Sequence, residues 1–166
     1  MMSILKSCAI PIFLVFSLTF WLGCGTGSSS DYSSAPGKLY DIGGYSLQLQ
    51  TLGSGSPTVV FEAGSGDFSL TWALVAPIVA HTNRVCVYDR AGLGWSDPSP
   101  YPRLATIEVA ELHALLAKAQ IPPPYIMVGH SMGGVLARLF THTYSIEVVG
   151  LVLVDPGMKN RKLRRT

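Results

Sequence analysis

The sequence predicts an α/β fold, with a mostly parallel twisted sheet entered through an N-terminal antiparallel hairpin. Three observations carry this. Four short runs are almost wholly apolar: Thr58 to Glu62, Val85 to Tyr88, Tyr125 to Val128 and Val148 to Val154. Such runs fit parallel strands covered on both faces. Helix-like stretches separate them, which is the strand–helix alternation of a parallel sheet. Upstream, Tyr45 to Leu52 alternates, with Tyr45, Leu47, Leu49 and Thr51 on one side and Ser46, Gln48 and Gln50 on the other. Alternation marks a half-solvated strand, expected here at a sheet edge.

The elements follow in order. Leu39 to Ile42 precedes the alternating strand across Gly43-Gly44, a tight-turn signal that makes the pair a hairpin. Leu70 to Ala80 is expected to be a helix joining the first two apolar runs. Leu104 to Ala119 places Leu104, Ile107, Leu112, Leu115, Leu116 and Ala119 on one helical face, with Glu108, Glu111 and Lys118 elsewhere. Pro122-Pro123-Pro124 stops that helix and leads into the next strand. Met132 to Thr143 is the third helix. Cys86, inside an apolar run, reads as a small buried hydrophobe.

Composition bounds the function classes. The chain has 166 residues, 48% hydrophobic and 13% charged, which excludes a disordered chain. Three cysteines are too few for a disulfide scaffold. The net charge of +2 is uneven: Lys6, Lys159, Arg161, Lys162, Arg164 and Arg165 lie near the ends, leaving six basic against ten acidic residues, a net of −4. A mildly acidic body gives no nucleic-acid signal. The chain has neither G-x-G-x-x-G nor G-x-x-x-x-G-K-[ST], and no clustered His, Cys and carboxylate ligands, so no nucleotide, metal or other cofactor is implied.

The first residues read as an address. Lys6 precedes the apolar stretch Cys8 to Leu22, and Gly23-Cys24-Gly25 follows, the layout of an export signal. Trp21-Leu22-Gly23-Cys24 resembles a bacterial lipobox, which would make Cys24 a lipidated residue. A cleaved signal and an uncleaved anchor are the other two readings, since Ile4 to Gly23 is long enough to span a bilayer. All three place the body outside the cytoplasm, tethered to the membrane in the first and third. The organisation expected is an export segment over 1–24, a Gly/Ser-rich tether over 25–37, the α/β domain over 38–158 and a basic tail over 159–166.

Gly129-His130-Ser131-Met132-Gly133 fits G-x-S-x-G. It follows a strand and opens a helix, the context of a nucleophile elbow, where a sharp turn exposes the serine above the sheet. The Met132 N–H, at the helix start, is placed for a developing oxyanion. Phe61-Glu62-Ala63-Gly64-Ser65-Gly66 follows another strand, and Tyr88-Asp89-Arg90-Ala91-Gly92-Leu93-Gly94-Trp95-Ser96 a third. With these motifs the chain resembles the α/β-hydrolase fold family over roughly residues 38 to 157. The second motif is similar to that family's oxyanion loop, with Ala63-Gly64 where a His-Gly pair is commoner. The resemblance implies that the N–H of Ser65 or Gly66 is the second oxyanion donor. The third resembles the family's D-x-R-G-x-G-x-S loop, which makes Asp89 and Arg90 structural.

A serine at the elbow narrows what the resemblance implies. Relatives that open epoxides or remove halides carry Asp there. Ser131 implies acyl transfer on ester-like substrates, or the cofactor-free peroxidase and hydroxynitrile lyase chemistry that reuses the same serine. A serine needs a base, and the base a carboxylate, in the family order Ser, Asp or Glu, His. Downstream of Ser131 lie only His142, Glu147 and Asp155. His142 falls about 16 Å along the helix from the serine, too far to serve. The catalytic His is therefore expected to be absent, and the chain to be a truncated hydrolase core without cap or last strands. Asp155 ends the last apolar run, where ligand-facing groups sit in open α/β sheets, and is either an acid candidate or the start of the Pro156-Gly157 turn. Phe68 and Trp72 either line an acyl site or belong to the core. Val148 to Val154 is expected to be an exposed apolar edge prone to self-association. The reading from another class is a tethered, non-enzymatic binding protein, separated from the first by the reactivity of Ser131.

Overall fold

The computed structural model describes residues 34–156. The export segment with Cys24, the basic tail and most of the tether lie outside the described residues. Within them the strands are β1 (Lys38–Asp41), β2 (Ser46–Leu52), β3 (Thr58–Glu62), β4 (Val85–Tyr88), β5 (Tyr125–His130) and β6 (Val148–Val154). The α-helices are α1 (Ala76–Val79), α2 (Ala105–Lys118) and α3 (Met132–Thr143). They form one six-stranded sheet in the order β1-β2-β4-β3-β5-β6. β1–β2 and β2–β4 are antiparallel; β4–β3, β3–β5 and β5–β6 are parallel. This is the expected mixed sheet with an antiparallel start.

Strand alternation builds two apolar layers. On one face Leu47, Leu49, Val60 and Met127 pack with Leu112, Leu115 and Leu116 of α2 and Leu136 and Phe140 of α3. On the other, Val59, Phe61, Val85, Val87 and Val128 pack with Trp72 and Ala76. β3 and β4 are buried throughout, which explains their unbroken apolar runs. Cys86, on β4, is fully buried in the layer with Leu47, Leu49 and Val60, and burial pushes its thiol up to about 11. The hairpin turn forms as predicted, with Asp41 Oδ1 accepting from the Gly43 and Gly44 N–H groups at 2.8 and 2.7 Å. Both glycines have positive φ, 132° and 94°.

Three expectations change. The alternating strand is not an edge: β1 lies outside β2, and the loop after β4 folds over it. Ser96 Oγ accepts from Gln48 N–H at 2.9 Å, and Asp97 Oδ2 accepts from Ser46 N–H at 2.8 Å. Gln48 is thereby fully buried. The expected helix over Leu70 to Ala80 is split into a 3-10 turn, Ser69–Trp72, and the single turn α1. Pro77 explains the break, because proline is tolerated only in the first turn of a helix. In α2, Leu104 is the exposed N-cap, while Glu111 is buried. Tyr45 Oη donates to Glu111 Oε1 at 2.7 Å, and Arg103 Nη1 donates to both its oxygens at 2.9 and 2.8 Å. Charge pairing, rather than helical periodicity, decides that position.

At the other side β6 is the outermost strand among the described residues. Val149, Val152 and Val154 on it are exposed. Among the described residues no helix is long and apolar enough to cross a membrane.

Candidate active site

Ser131 stands between β5 and α3 as the N-cap of the helix, with φ 51° and ψ −120°. A non-glycine residue at positive φ carries about 1–3 kcal/mol of strain, retained only where the surroundings impose it. The surroundings here are explicit. The Ser131 N–H donates to the Val154 carbonyl at the end of β6 at 3.1 Å, and its carbonyl accepts from Gly134 N–H at 3.0 Å. A Cβ on Gly129 would overlap the backbone of Gly133 and Gly134. A Cβ on Gly133 would overlap the carbonyls of Glu62 and Ala63. The two glycines flanking Ser131 thus let the strand, the turn and the helix close against one another and against the end of β3. Met132 opens α3, so its N–H is one of those a helix leaves without an intrahelical acceptor.

The loop after β3 lies beside this turn. Asp67 N–H donates to Gly64 O at 3.3 Å, and Gly66 takes φ 75°, closing a tight turn that leaves Ser65 and Gly66 exposed. A groove of about 450 Å³ is lined by both Gly66 and Met132, with Leu93, Pro98, Tyr101 and Arg103 among its walls. Two of the predicted oxyanion donors therefore belong to residues on one cavity.

Asp89 and Arg90 are both buried and hydrogen-bonded to neighbouring segments. Asp89 is fully buried and accepts from Ser69 N–H at 2.8 Å and Trp95 N–H at 3.0 Å. Arg90, 4% exposed, donates through Nη1 to Glu62 Oε1 and to Ala63 O, both at 2.6 Å, and through Nη2 to Gly64 O. Tyr88 Oη donates to the other Glu62 oxygen. Burial raises the Glu62 carboxyl above the ordinary range against the pull of Arg90. Burial works against the Arg90 charge, but Glu62 and Tyr88 outweigh it and the guanidinium is raised. Glu108 Oε2 stands 3.8 Å from Arg90 Nε, and its Oε1 3.4 Å from Arg103 Nη2. The buried Glu62–Arg90 pair escaped the sequence reading. Its signal was a carboxylate ending an apolar run, with an arginine just past the end of another strand.

The remaining candidates spread out. Asp155 follows β6, is exposed and has φ 41°. Trp72 is buried in the core against Phe61, ring centroids 4.7 Å apart. Phe68 is half-buried, edge-on to Trp95 at 5.8 Å. His142 is exposed near the end of α3 and His81 is exposed near α1. His113 stacks on Tyr144 and lies 3.2 Å from both Glu147 oxygens. His130 turns its buried Nδ1 toward Gly64 and finds no hydrogen-bond partner among the described residues.

The chain as a whole has counterparts among known proteins. The chain is similar to an uncharacterised protein of Bacillus subtilis strain 168, YqjL, at 38% identity over 122 residues, covering 73% of this chain and 48% of that one. It is similar in structure to a meta-cleavage product hydrolase from Pseudomonas fluorescens IP01, with TM-score 0.64 and 26% identity over 70% of this chain and 44% of that chain. It is also similar to the epoxide hydrolase CorEH, with TM-score 0.65 and 25% identity over 70% and 40% of the two chains. The chain therefore spans less than half the length of these proteins. The sequence pattern of the Alpha/beta hydrolase family matches residues 59–165, from within β3 through α3 and β6, and the chain belongs to that family.

Proposed function

We propose that this chain supplies the nucleophile and the oxyanion donors of a serine hydrolase that transfers the acyl group of an ester. The observation that carries the reading is the strained Ser131 turn, φ 51°, held between a strand end and a helix start by two close-packed glycines. A turn with no chemistry to perform has no need of a serine in that conformation. Ser131 Oγ attacks the ester carbonyl; the carbonyl oxygen becomes an oxyanion and takes hydrogen bonds from Met132 N–H and from Ser65 or Gly66 N–H. The alkoxide leaves, and the acyl group stays on Oγ. Chemistry at the neighbouring epoxide hydrolase does not transfer, because the elbow residue here is Ser131.

The serine proton needs an acceptor; among the described residues no histidine is hydrogen-bonded to Ser131, so in this chain the proton passes to solvent and the leaving group departs as alkoxide. His142 and His81 face solvent, His113 is paired to Glu147, and His130 faces Gly64. The chain alone is therefore expected to acylate slowly and to turn over little. Asp155 is the carboxylate candidate at the end of the strand beside the elbow.

Incubating the full chain with p-nitrophenyl acetate and mapping the peptides by mass spectrometry tests this. Acetyl is expected on Ser131 and absent from that peptide in Ser131→Ala. An equal label in both proteins, or no label on Ser131, would refute the reading and favour a tethered binding protein.

We also propose self-association through β6, whose outer edge carries no strand among the described residues and whose Val149, Val152 and Val154 are exposed. Gel filtration is expected to show species larger than a monomer. A single monomer peak at all concentrations would count against it.

A further inference from the structure

We propose that Arg90 is a positioning residue that fixes which way the Ser65 N–H points, and so pre-sets that N–H as an oxyanion donor. The inference rests on the Ser131 reading above for its function, and on geometry for the rest.

In a trans peptide the C=O of one residue and the N–H of the next lie in one plane and point in opposite directions. Whatever holds the carbonyl therefore aims the following N–H. Arg90 holds two successive carbonyls, Ala63 O at 2.6 Å through Nη1 and Gly64 O through Nη2. Gly64 O has a second donor, Asp67 N–H at 3.3 Å. The peptide between Gly64 and Ser65 is thus clamped by its oxygen, and the Ser65 N–H faces the side away from the guanidinium. No contact to Arg90 is made by the carbonyl of Ser65, which would aim the Gly66 N–H.

The clamp is itself held. Glu62 Oε1 anchors Arg90 Nη1 at 2.6 Å, Tyr88 Oη fills the other Glu62 oxygen, and Glu108 stands against Arg90 Nε. Arg90 and Glu62 are 4% and 1% exposed, so both groups depend on these partners rather than on water. Only a planar fork with several donors reaches a carboxylate and two backbone oxygens at once; a lysine ammonium acts as a point charge. The carbonyls of Glu62 and Ala63 also abut Gly133, so the same guanidinium ties the loop to the helix that carries Met132. An oxyanion site needs donors fixed before charge develops, and a rigid carbonyl clamp behind the loop provides that.

The test uses the full chain and its Arg90→Met and Arg90→Lys variants, with Glu62→Gln/Arg90→Met as the version that leaves no lone buried carboxylate should Arg90→Met fail to fold. The first readout is the Ser65 amide resonance in a ¹⁵N-labelled sample of each folded variant. It is expected to shift and to exchange faster with solvent in all of them, while Leu115 and Leu116, deep in α2, keep their signals. The second is acylation of Ser131 by p-nitrophenyl acetate, read as a maximal rate and a half-saturating concentration. The rate is expected to fall about tenfold or more with little change in half-saturation, because donor alignment acts on the transition state. An unmoved Ser65 amide in a folded variant would overturn the clamp. A shifted amide with an unchanged acylation rate would overturn its role in the reaction. If the unsubstituted chain shows no acyl-Ser131 but its Ser65 amide still depends on Arg90, the hydrolase reading fails and the clamp survives as a device of the loop.

Discussion

Gly133→Ala is expected to destabilise the fold by about 3 kcal/mol, at the upper end of ordinary overpacking, whereas Gly134→Ala costs about 1 kcal/mol or less. The positions are adjacent in α3, and the difference lies in what a Cβ would meet. At Gly133 it meets the carbonyls of Glu62 and Ala63, backbone atoms at the end of the central strand. Ala63 O is also held by Arg90, so it cannot retreat. Relief requires α3 to move off the sheet, breaking its packing through Leu136 and Phe140. At Gly134 the nearest atoms are Pro156 Cβ at 3.1 Å and Leu153 Cδ2 at 3.4 Å, which need to give by only a few tenths of an ångström. Urea unfolding of both variants measures the contrast. Equal losses at the two positions would mean that the elbow is less tightly closed than described here.

Glu62→Ala is expected to cost about 3–5 kcal/mol, because it strands the Arg90 charge in the interior. Glu62→Gln keeps an acceptor for the guanidinium and should cost less. The pH dependence separates the pair further. Burial raises the Glu62 carboxyl, so the folded state holds its proton more tightly than the unfolded chain does. The contribution of this group to stability is then fully present below the ordinary carboxylate range. It is lost as pH rises from that range through the raised folded value. Glu62→Gln removes the titrating group, so its stability should fall less with rising pH over that interval than that of the unsubstituted protein. Denaturant midpoints across the acid and neutral range test this. Parallel curves for the two proteins would show that Glu62 is not raised.

Much of this was legible in the sequence, for physical reasons. Strands β3 to β6 announce themselves because both faces are apolar, and Gly129 and Gly133 bracket Ser131 between an expected strand and an expected helix, the context that marks a tight turn. What escaped reading depends on contacts between distant segments. Gln48 looks solvent-facing by alternation, yet the loop carrying Ser96 and Asp97 covers it. Glu111 sits on the polar side of a helical projection, yet Tyr45 and Arg103 draw it inside. Pro77, inside the expected helix over Leu70 to Ala80, is the local residue at which one continuous helix gives way to two short turns. At the site, the serine and the loop glycines could be found from local pattern, while the support behind them could not. Nothing local in Arg90 reveals that it reaches back to the carbonyls of Ala63 and Gly64.

The strand order also bears on how the chain assembles during synthesis. β1 and β2 can pair as soon as they emerge, but β3, the centre of the sheet, follows them and pairs with neither. Its two neighbours, β4 and β5, are both made later, and β4 must insert between β2 and β3. Until Tyr125 to His130 has left the ribosome, the Thr58 to Glu62 segment has at most one partner, and its apolar side chains and strand edge remain open. Parallel pairing of this kind closes long loops before any contact offsets their entropy, so it is slow and exposed to misassembly. The hairpin that opens the sheet is therefore a waiting platform, and the interval between synthesis of β3 and of β5 is the one in which the centre of the sheet is least covered.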